Sequence, residues 1–390
     1  MSKIYIEYNY LKNIKWRVTM KLLILYVSVG TGHMKAAEAL KESIEKQFDG
    51  WSVDILDALK YINPIIDKIV VSSYLGALRR SPKLYSKLYT ASGTGTSTGI
   101  YDISKAFNKL LSYRLKKLIK DYEPSAIVCT HPFPMQMLSS LKERKQLSVP
   151  SIAILTDYVV HSLWLDSGMD AFIVASEMMK SEMINLGVPS NIIFPYGIPV
   201  SPKFQNQANR ESLLNELGLD NKFTVLVMGG GMGFGNMENT INSLLNCDLD
   251  IQIIAVTGTN KKLKYQLEQS SKNSNKNVLI FSYTDRINEL MDISDLLITK
   301  PGGMTVSEAL VKGLPIFIIS PIPGQEEGNA SFLIRSGVAS RVDSSSQLIE
   351  VLSRMANDPV ALNLMRDNSK YLGKPHSAYD IAVLLDKLIN

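Results

Sequence analysis

Short apolar runs alternate with amphipathic patterns along almost the whole chain, and these runs have the length and composition of strands. The predicted strands are Leu22–Val27, Ser52–Leu56, Ala126–Cys129, Ile152–Leu155, Ala171–Val174, Ile192–Phe194, Phe223–Met228, Ile251–Val256, Val278–Phe281, Leu296–Thr299, Pro315–Ile319 and Ala339–Val342. Such alternation is typical of parallel sheets joined by crossover helices. The pattern predicts an α/β fold with two doubly wound, Rossmann-like domains that face each other across a cleft.

A stretch rich in proline and glycine, Gly197–Pro202, interrupts this rhythm and predicts a domain boundary. We expect an N-terminal domain over residues 20–200 and a C-terminal domain over residues 203–372. Doubly wound sheets bind ligands beyond the carboxyl ends of their strands. The loops that follow the predicted strands are therefore the places to look for functional residues.

Composition narrows the class of protein. The chain has 390 residues, of which 45% are hydrophobic and 20% are charged, as in folded globular proteins of two domains. Its apolar runs are too short to span a bilayer. Cys129 and Cys247 show neither disulfide nor zinc spacing, which favours a reducing cytoplasm. Residues 1–19 lack the features of a secretory signal, and we expect a basic tail there or a true start at Met20.

The net charge of +5 is spread unevenly. Between Lys60 and Lys120 there are twelve basic and two acidic residues, so this segment carries +10 and the rest of the chain −5. Basic helices with interleaved aromatic residues are typical of a surface that lies on an anionic bilayer. The predicted docking residues are Arg79, Arg80, Lys83, Lys87, Tyr85 and Tyr89. A solvated helical face is the alternative, and nucleic acid is disfavoured because no recognition motif accompanies the segment.

The first predicted strand leads into a glycine turn, Ser28–His33, that opens a helix. Glycines there let the backbone approach a ligand, and the helix start attracts polar or anionic groups. The dinucleotide fingerprint fails, because Lys35 occupies the position of its third glycine. His33 at the mouth of the cleft is a candidate general base, since its pKa lies near neutrality. A hydrogen-bonded structural histidine is the alternative.

A second and richer glycine loop, Gly229–Gly235, follows the predicted strand Phe223–Met228. Five glycines in seven residues are costly in conformational entropy, so a purely structural turn is a poor explanation. The loop predicts a cradle for a diphosphate. It lacks the GK[ST] ending of a P-loop, which disfavours kinase chemistry or hydrolysis on ATP.

Two further motifs, Lys300–Glu308 and Pro321–Asn329, also follow predicted strands and open helices. Carboxylate and amide groups there suit the hydroxyl groups of a ribose and a hexose. We assign Glu308 to the ribose, and Gln325, Glu326 and Asn329 to the hexose, with helix capping as the alternative for each. The Asp248-Leu-Asp250 triplet precedes a strand and is interpreted as a turn, so no metal site is expected.

These four segments, in this order, resemble the family of monogalactosyldiacylglycerol synthases and processive diacylglycerol β-glucosyltransferases. That family is related to the N-acetylglucosaminyltransferase that makes lipid II. The resemblance covers about Leu22 to Asp380 and implies a GT-B fold. It implies a UDP-sugar held by the C-terminal domain, a lipid acceptor approached through the N-terminal domain, and neither metal nor other cofactor. It also implies that a last helix, 377–390, packs back onto the first domain.

Matching positions carry residue roles from the resemblance. His33 is implied as the base that takes the proton of the acceptor hydroxyl. The implied donor contacts are Gly230, Gly231 and Met232 at the diphosphate, Thr284 at the uracil, Gly303, Thr305 and Glu308 at the phosphate and ribose, and Gln325, Glu326 and Asn329 at the sugar. The implied acceptor side comprises Gly32, Asp157, His161 and Trp164.

The predicted function is that of an inverting glycosyltransferase attached peripherally to the inner face of the cell membrane. It would move a hexose, with glucose favoured over galactose, from a UDP-sugar to the 3-hydroxyl of diacylglycerol. A polyprenyl-linked or other lipid acceptor would use the same donor motifs. A UDP-sugar 2-epimerase would not need the basic aromatic segment, and a binding protein without catalysis would not need His33.

Overall fold

A computed structural model describes residues 20–68, 111–165, 168–231 and 236–390. The six predicted docking residues between positions 79 and 89 lie outside these ranges, as does Met232. Across the described ranges, no helix is both long enough and apolar enough to cross a membrane.

The first half of the chain forms a parallel six-stranded sheet with the order β2-β1-β3-β4-β5-β6. Its strands are β1 (Met20–Tyr26), β2 (Trp51–Asp57), β3 (Ala126–Cys129), β4 (Ser151–Ile154), β5 (Ala171–Ile173) and β6 (Ile193–Phe194). Its helices are α1 (Gly32–Gln47), α2 (Ala58–Ile62), α3 (Pro132–Glu143) and α4 (Glu177–Asn185), with short 3₁₀ turns at Ser162–Trp164 and Ser190–Ile192. Residues 64–68 and 111–122 are also helical.

The second half forms another parallel six-stranded sheet, with the order β12-β11-β10-β7-β8-β9. Its strands are β7 (Phe223–Met228), β8 (Ile251–Val256), β9 (Val278–Phe281), β10 (Leu296–Thr299), β11 (Ile316–Ile318) and β12 (Ala339–Arg341). Its helices are α5 (Arg210–Leu217), α6 (Met237–Leu245), α7 (Lys261–Ser271), α8 (Ile287–Asp292), α9 (Gly303–Lys312), α10 (Gln325–Arg335), α11 (Ser345–Asn357) and α12 (Pro359–Leu372), after a 3₁₀ turn at Pro202–Gln205.

The strands are near-continuous apolar runs because helices cover both faces of each sheet. β3, β4, β8 and β10 are buried along their whole length. The last helix, α13 (Ser377–Ile389), crosses back to the first half and packs against α1. It buries Ile381 and Leu385 in the cluster that contains Leu22 and Ile24 of β1.

Each sheet has one point where the strand order reverses, and doubly wound sheets bind ligands there. The reversal lies between β1 and β3 in the first sheet and between β7 and β10 in the second. The loops after these four strands line one shared cleft. The predicted α/β fold with two doubly wound sheets facing a cleft is therefore confirmed.

Candidate active site

The cleft has a volume of about 390 Å³ and is lined by residues of both halves. The lining includes most of the predicted site residues that the structure describes. These are Gly32, His33, Asp157, His161, Trp164, Gly230, Gly231, Gly303, Thr305, Gln325 and Glu326. Thr284, Glu308 and Asn329 are not among the lining residues.

The loop of residues 28–33 is braced by the end of β2. Asp57 Oδ2 accepts hydrogen bonds from the backbone N–H of Ser28 at 3.2 Å and from its hydroxyl at 2.5 Å. The other oxygen of Asp57 caps α2 through the N–H of Lys60. This carboxylate thereby fixes the turn from which His33 enters the cleft.

His33 is held in one tautomer by the first half of the chain. Its Nδ1 lies 2.6 Å from the carbonyl oxygen of Thr130 and 3.0 Å from Thr156 Oγ1. A carbonyl only accepts, so Nδ1 carries the hydrogen and Nε2 keeps its lone pair. Burial lowers the pKa of His33 to about 4, although the bond to Thr130 opposes this effect. The imidazole is therefore neutral near pH 7 and is able to accept a proton through Nε2.

A second histidine, His131, was not predicted as a site residue, but it also lines the cleft. Its ring meets the His33 ring edge-on with centroids 4.6 Å apart. Burial, with a smaller contribution from His33, keeps the pKa of His131 well below its usual value. Its position two residues after β3, at the carboxyl end of a central strand, was a signal that sequence reasoning could have used.

The two glycine loops approach each other closely across the cleft. A methyl group at Gly231 would lie 2.7 Å from Thr31 Cγ2, a separation that a side chain at position 231 could not keep. The contact between the two halves therefore favours glycine at position 231, because a side chain there would require Thr31 to move.

Lys300 and Glu326 form an ion pair at the end of β10, with Nζ and Oε1 3.1 Å apart. Their side chains are only 12% and 15% exposed. The second oxygen of Glu326 accepts the N–H of Ile322 at 2.7 Å. Glu326 lines the cleft, and both of its oxygens have partners on this chain.

Asn329 differs most from its predicted role. Its side chain is fully buried, and its Oδ1 accepts the N–H of Tyr158 at 2.7 Å. Its Nδ2 donates to Asp157 Oδ1 at 2.9 Å and to the carbonyl of Pro301 at 3.0 Å. All of these partners belong to the protein, so Asn329 joins the two halves and is not among the residues that line the cleft.

Further contacts near Asn329 also join the two halves. The hydroxyl of Tyr158 lies 2.9 Å from Ser307 Oγ, and its ring stacks on Phe332. Gly303 packs directly on the carbonyl of Thr156, so a methyl group there would be 1.9 Å from that oxygen. The segment of residues 156–159, which also contacts His33, is thus held between α9 and α10.

Glu308 lies in the middle of α9 and is half-buried. Burial raises the pKa of its carboxyl group to about 8, while the nearby Lys35 ammonium lowers it. Lys35 of α1 also stands 5.7 Å from the centre of the Tyr283 ring in the other half. Next to that ring, Thr284 Oγ1 accepts the N–H of Arg286 and caps the turn after β9.

Of the four predicted acceptor-side residues, Gly32 begins α1, whereas Asp157, His161 and Trp164 lie in the segment that follows β4. His161 Nδ1 accepts the N–H of Leu163 and caps the 3₁₀ turn that buries Trp164. Burial raises the pKa of the Asp157 carboxyl group, and the bond from Asn329 opposes this shift. In the part of the chain that the structure describes, no group of three or more His, Cys, Asp or Glu side chains is arranged as a metal site.

Comparison with known sequences matches the two halves separately. Residues 33–200 match the family "Monogalactosyldiacylglycerol (MGDG) synthase". Residues 224–385 match the "Glycosyltransferase family 28 C-terminal domain". A processive diacylglycerol beta-glucosyltransferase from Staphylococcus carnosus is 31% identical over 376 residues, which cover 94% of this chain and 93% of that protein. The protein of the same name from Bacillus pumilus is 28% identical over 372 residues and 93% of both chains.

Solved structures share the architecture. MurG from Acinetobacter baumannii aligns with a TM-score of 0.61 at 14% identity, over 94% of this chain and 99% of that one. A UDP-GlcNAc 2-epimerase from Neisseria meningitidis, bound to UDP-GlcNAc, aligns with a TM-score of 0.59 at 14% identity, over 94% of this chain and all of that one. Such distant likenesses establish the fold alone. The sequence relatives identify the class of enzyme: the chain belongs to the family of monogalactosyldiacylglycerol synthases and processive diacylglycerol β-glucosyltransferases, and it is a glycosyltransferase.

Proposed function

We propose that this protein transfers glucose from UDP-glucose to the 3-hydroxyl of diacylglycerol at a membrane surface and forms a β-glucosyl lipid. The observation that carries the proposal is the position of His33. It lines the same cleft as the glycine loop at 229–231, with Nδ1 bonded to Thr130 and Nε2 left to act as a base. The names of the full-length relatives support diacylglycerol as acceptor and glucose as the transferred sugar.

The proposed reaction is a single displacement. The acceptor oxygen bonds to the anomeric carbon while the bond from that carbon to the diphosphate breaks, and the electron pair leaves with UDP. The acceptor proton passes to Nε2 of His33. Although its pKa of about 4 makes this imidazole a weak base, the imidazolium forms as negative charge develops on the departing UDP. Opposite charges that appear together in a cleft of low dielectric stabilise each other.

We assign the donor to the second half and the acceptor to the first, so that the reacting groups meet at the shared cleft. Helices α9 and α10 begin at the cleft, and their amino ends favour the negative charge of a diphosphate. Gln325 and Glu326 are the proposed hexose contacts. The segment of residues 156–164 is the proposed acceptor side, where His161 and Trp164 line the cleft.

Attachment to the membrane is proposed for the surface around residues 60–120. Described residues on both sides of the segment 69–110 expose large apolar side chains, with Ile65 71% and Tyr113 75% exposed. Lys117 and Lys120 are exposed, and their helical spacing from Tyr113 places them on the same face. Basic and apolar groups on one surface suit an anionic bilayer, where each lysine near the surface contributes about 1 kcal/mol.

The test is transfer by the purified full chain. Protein, UDP-glucose or UDP-galactose, and vesicles of diacylglycerol with or without anionic phospholipid are incubated, and lipid products are identified by mass spectrometry. A glucosyl-diacylglycerol that forms faster on anionic vesicles supports the proposal. UDP binding without formation of either hexosyl-diacylglycerol refutes diacylglycerol as acceptor. In that case, a product in the same assay with polyprenyl phosphate lipids identifies a polyprenyl-linked acceptor. An epimerised UDP-sugar identifies a 2-epimerase.

A further inference from the structure

Lys300 lies at the point of the second sheet where a ligand is expected. It follows β10 directly, and the last residue of β10, Thr299, pairs with Met228 at the end of β7. Lys300 therefore lies beside the start of the glycine loop at Gly229. Both residues line the cleft, and among the lining residues that the structure describes, Lys300 is the only lysine or arginine.

The ammonium of Lys300 is oriented by residues of this chain. Glu326 holds it at 3.1 Å, and the N–H of Ile322 holds the other oxygen of Glu326. An ammonium has three donors, and this pairing uses one of them. Because the pair is largely buried, another anion that reached Lys300 would interact with it more strongly than it would in water.

We propose that Lys300 donates to the diphosphate of the sugar donor and stabilises the charge that remains on the nucleoside diphosphate when the glycosyl bond breaks. The inference rests on the proposed function and adds a catalytic residue to it. The broken bond joins the anomeric carbon to a phosphate oxygen, and its electron pair stays on that oxygen, next to the ammonium. Glu326 then acts as a positioning residue for Lys300, in addition to any contact with the hexose.

The size of the expected effect is estimated from hydrogen-bond donors that have comparable roles in other enzymes. Removing one donor that faces a developing negative charge lowers kcat by about 10²–10³-fold. A lost charge-assisted hydrogen bond also weakens binding of the diphosphate product by about 10- to 100-fold. Uridine has no phosphate, so its affinity should not depend on Lys300.

The experiment compares UDP with uridine as ligands of the full chain by titration calorimetry, for the wild type, Lys300→Met and Lys300→Arg. Methionine is unbranched and only one heavy atom shorter than lysine, so it keeps most of the side chain and removes the charge. The matched control is Lys312→Met. Lys312 also forms a buried ion pair, with Asp292, but this pair lies at the amino ends of the strands of the second sheet, away from the cleft. Transfer to vesicles is measured in parallel.

For Lys300→Met we expect a 10- to 100-fold loss of UDP affinity, unchanged uridine affinity and at least a 100-fold lower kcat. Lys300→Arg should retain most of the UDP affinity, and Lys312→Met should keep the wild-type ratio of UDP to uridine affinity. Equal UDP affinity in wild type and Lys300→Met would overturn the inference, as would an equal loss of UDP and uridine affinity. Wild-type protein that transfers no hexose to diacylglycerol would refute the proposed function, while the ratio of UDP to uridine affinity would still decide the contact between Lys300 and the diphosphate.

Discussion

Replacing Gly303 with alanine should disturb the junction between the two halves of the protein. A methyl group at this position would lie 1.9 Å from the carbonyl oxygen of Thr156, whereas ordinary contacts begin at 3.4 Å. The difference between these distances requires the two backbones to separate by about 1.5 Å. Overpacking costs about 1–3 kcal/mol, and we expect the upper end of that range because the obstacle is backbone and not a flexible side chain.

Gly302→Ala is the matched control for this substitution. A methyl group there meets nothing within 4 Å, and the backbone angle φ of −71° is open to alanine. Alanine restricts the unfolded chain at both positions, so that contribution cancels in the comparison. Urea denaturation followed by tryptophan fluorescence should give a clearly lower midpoint for Gly303→Ala than for Gly302→Ala. Equal midpoints would refute the close packing of α9 on residue 156.

The same displacement should also lower the rate of transfer. Thr156 Oγ1 lies 3.0 Å from Nδ1 of His33, and a shift of about 1.5 Å would break that contact. Misplacement of a catalytic group by about 1 Å costs on the order of 10²-fold in rate. We therefore expect kcat for transfer to fall about 100-fold in Gly303→Ala under conditions where the protein remains folded. Transfer at the wild-type rate would show that Thr156 does not position His33.

Three further substitutions test the roles of His33, Asn329 and Ile65. His33→Ala should abolish transfer and leave UDP affinity unchanged in calorimetry, whereas a loss of UDP affinity would make His33 a donor-binding or structural residue. Asn329→Ala leaves the N–H of Tyr158 and the carbonyl of Pro301 without their partner, so the free energy of unfolding should fall by about 2–4 kcal/mol. A higher KM for UDP-glucose with an unchanged free energy of unfolding would instead support the predicted sugar contact. Ile65→Ser should weaken sedimentation with anionic vesicles, whereas Val360→Ser, at a residue that is 79% exposed on α12, should not; equal effects would exclude a specific docking surface around Ile65.

Much of the fold could be read from local patterns. The bounds predicted for β3, β7, β8, β9 and β10 agree with the structure at both ends, and the other strands differ by one or two residues. Buried parallel strands are short apolar runs, and their periodicity is visible without knowledge of their neighbours. The loops at Ser28–His33 and Gly229–Gly235 could be located in the same way, because a functional loop follows a strand of a doubly wound sheet.

The roles of individual side chains were less accessible to sequence reasoning. The sequence motif predicts a sugar contact for Asn329 because it lies near the start of a helix beside other polar residues, yet its partner Tyr158 is 171 positions away. The partners that set the tautomer of His33 are 97 and 123 positions away, at Thr130 and Thr156. Lys300 belonged to a recognised motif but had no assigned role, since its partner Glu326 belongs to the next helix.

By itself, the sequence determined which segments form strands and helices, where the glycine loops lie, and to which family the chain belongs. These properties depend on residues that are close together in the chain, or on similarity along its whole length. The tertiary structure alone decided that His33 carries its hydrogen on Nδ1, that Asn329 joins the halves, and that Lys300 faces the cleft. Each of these depends on atoms brought together when the two sheets pack, and the distance between such atoms is not encoded in any local pattern.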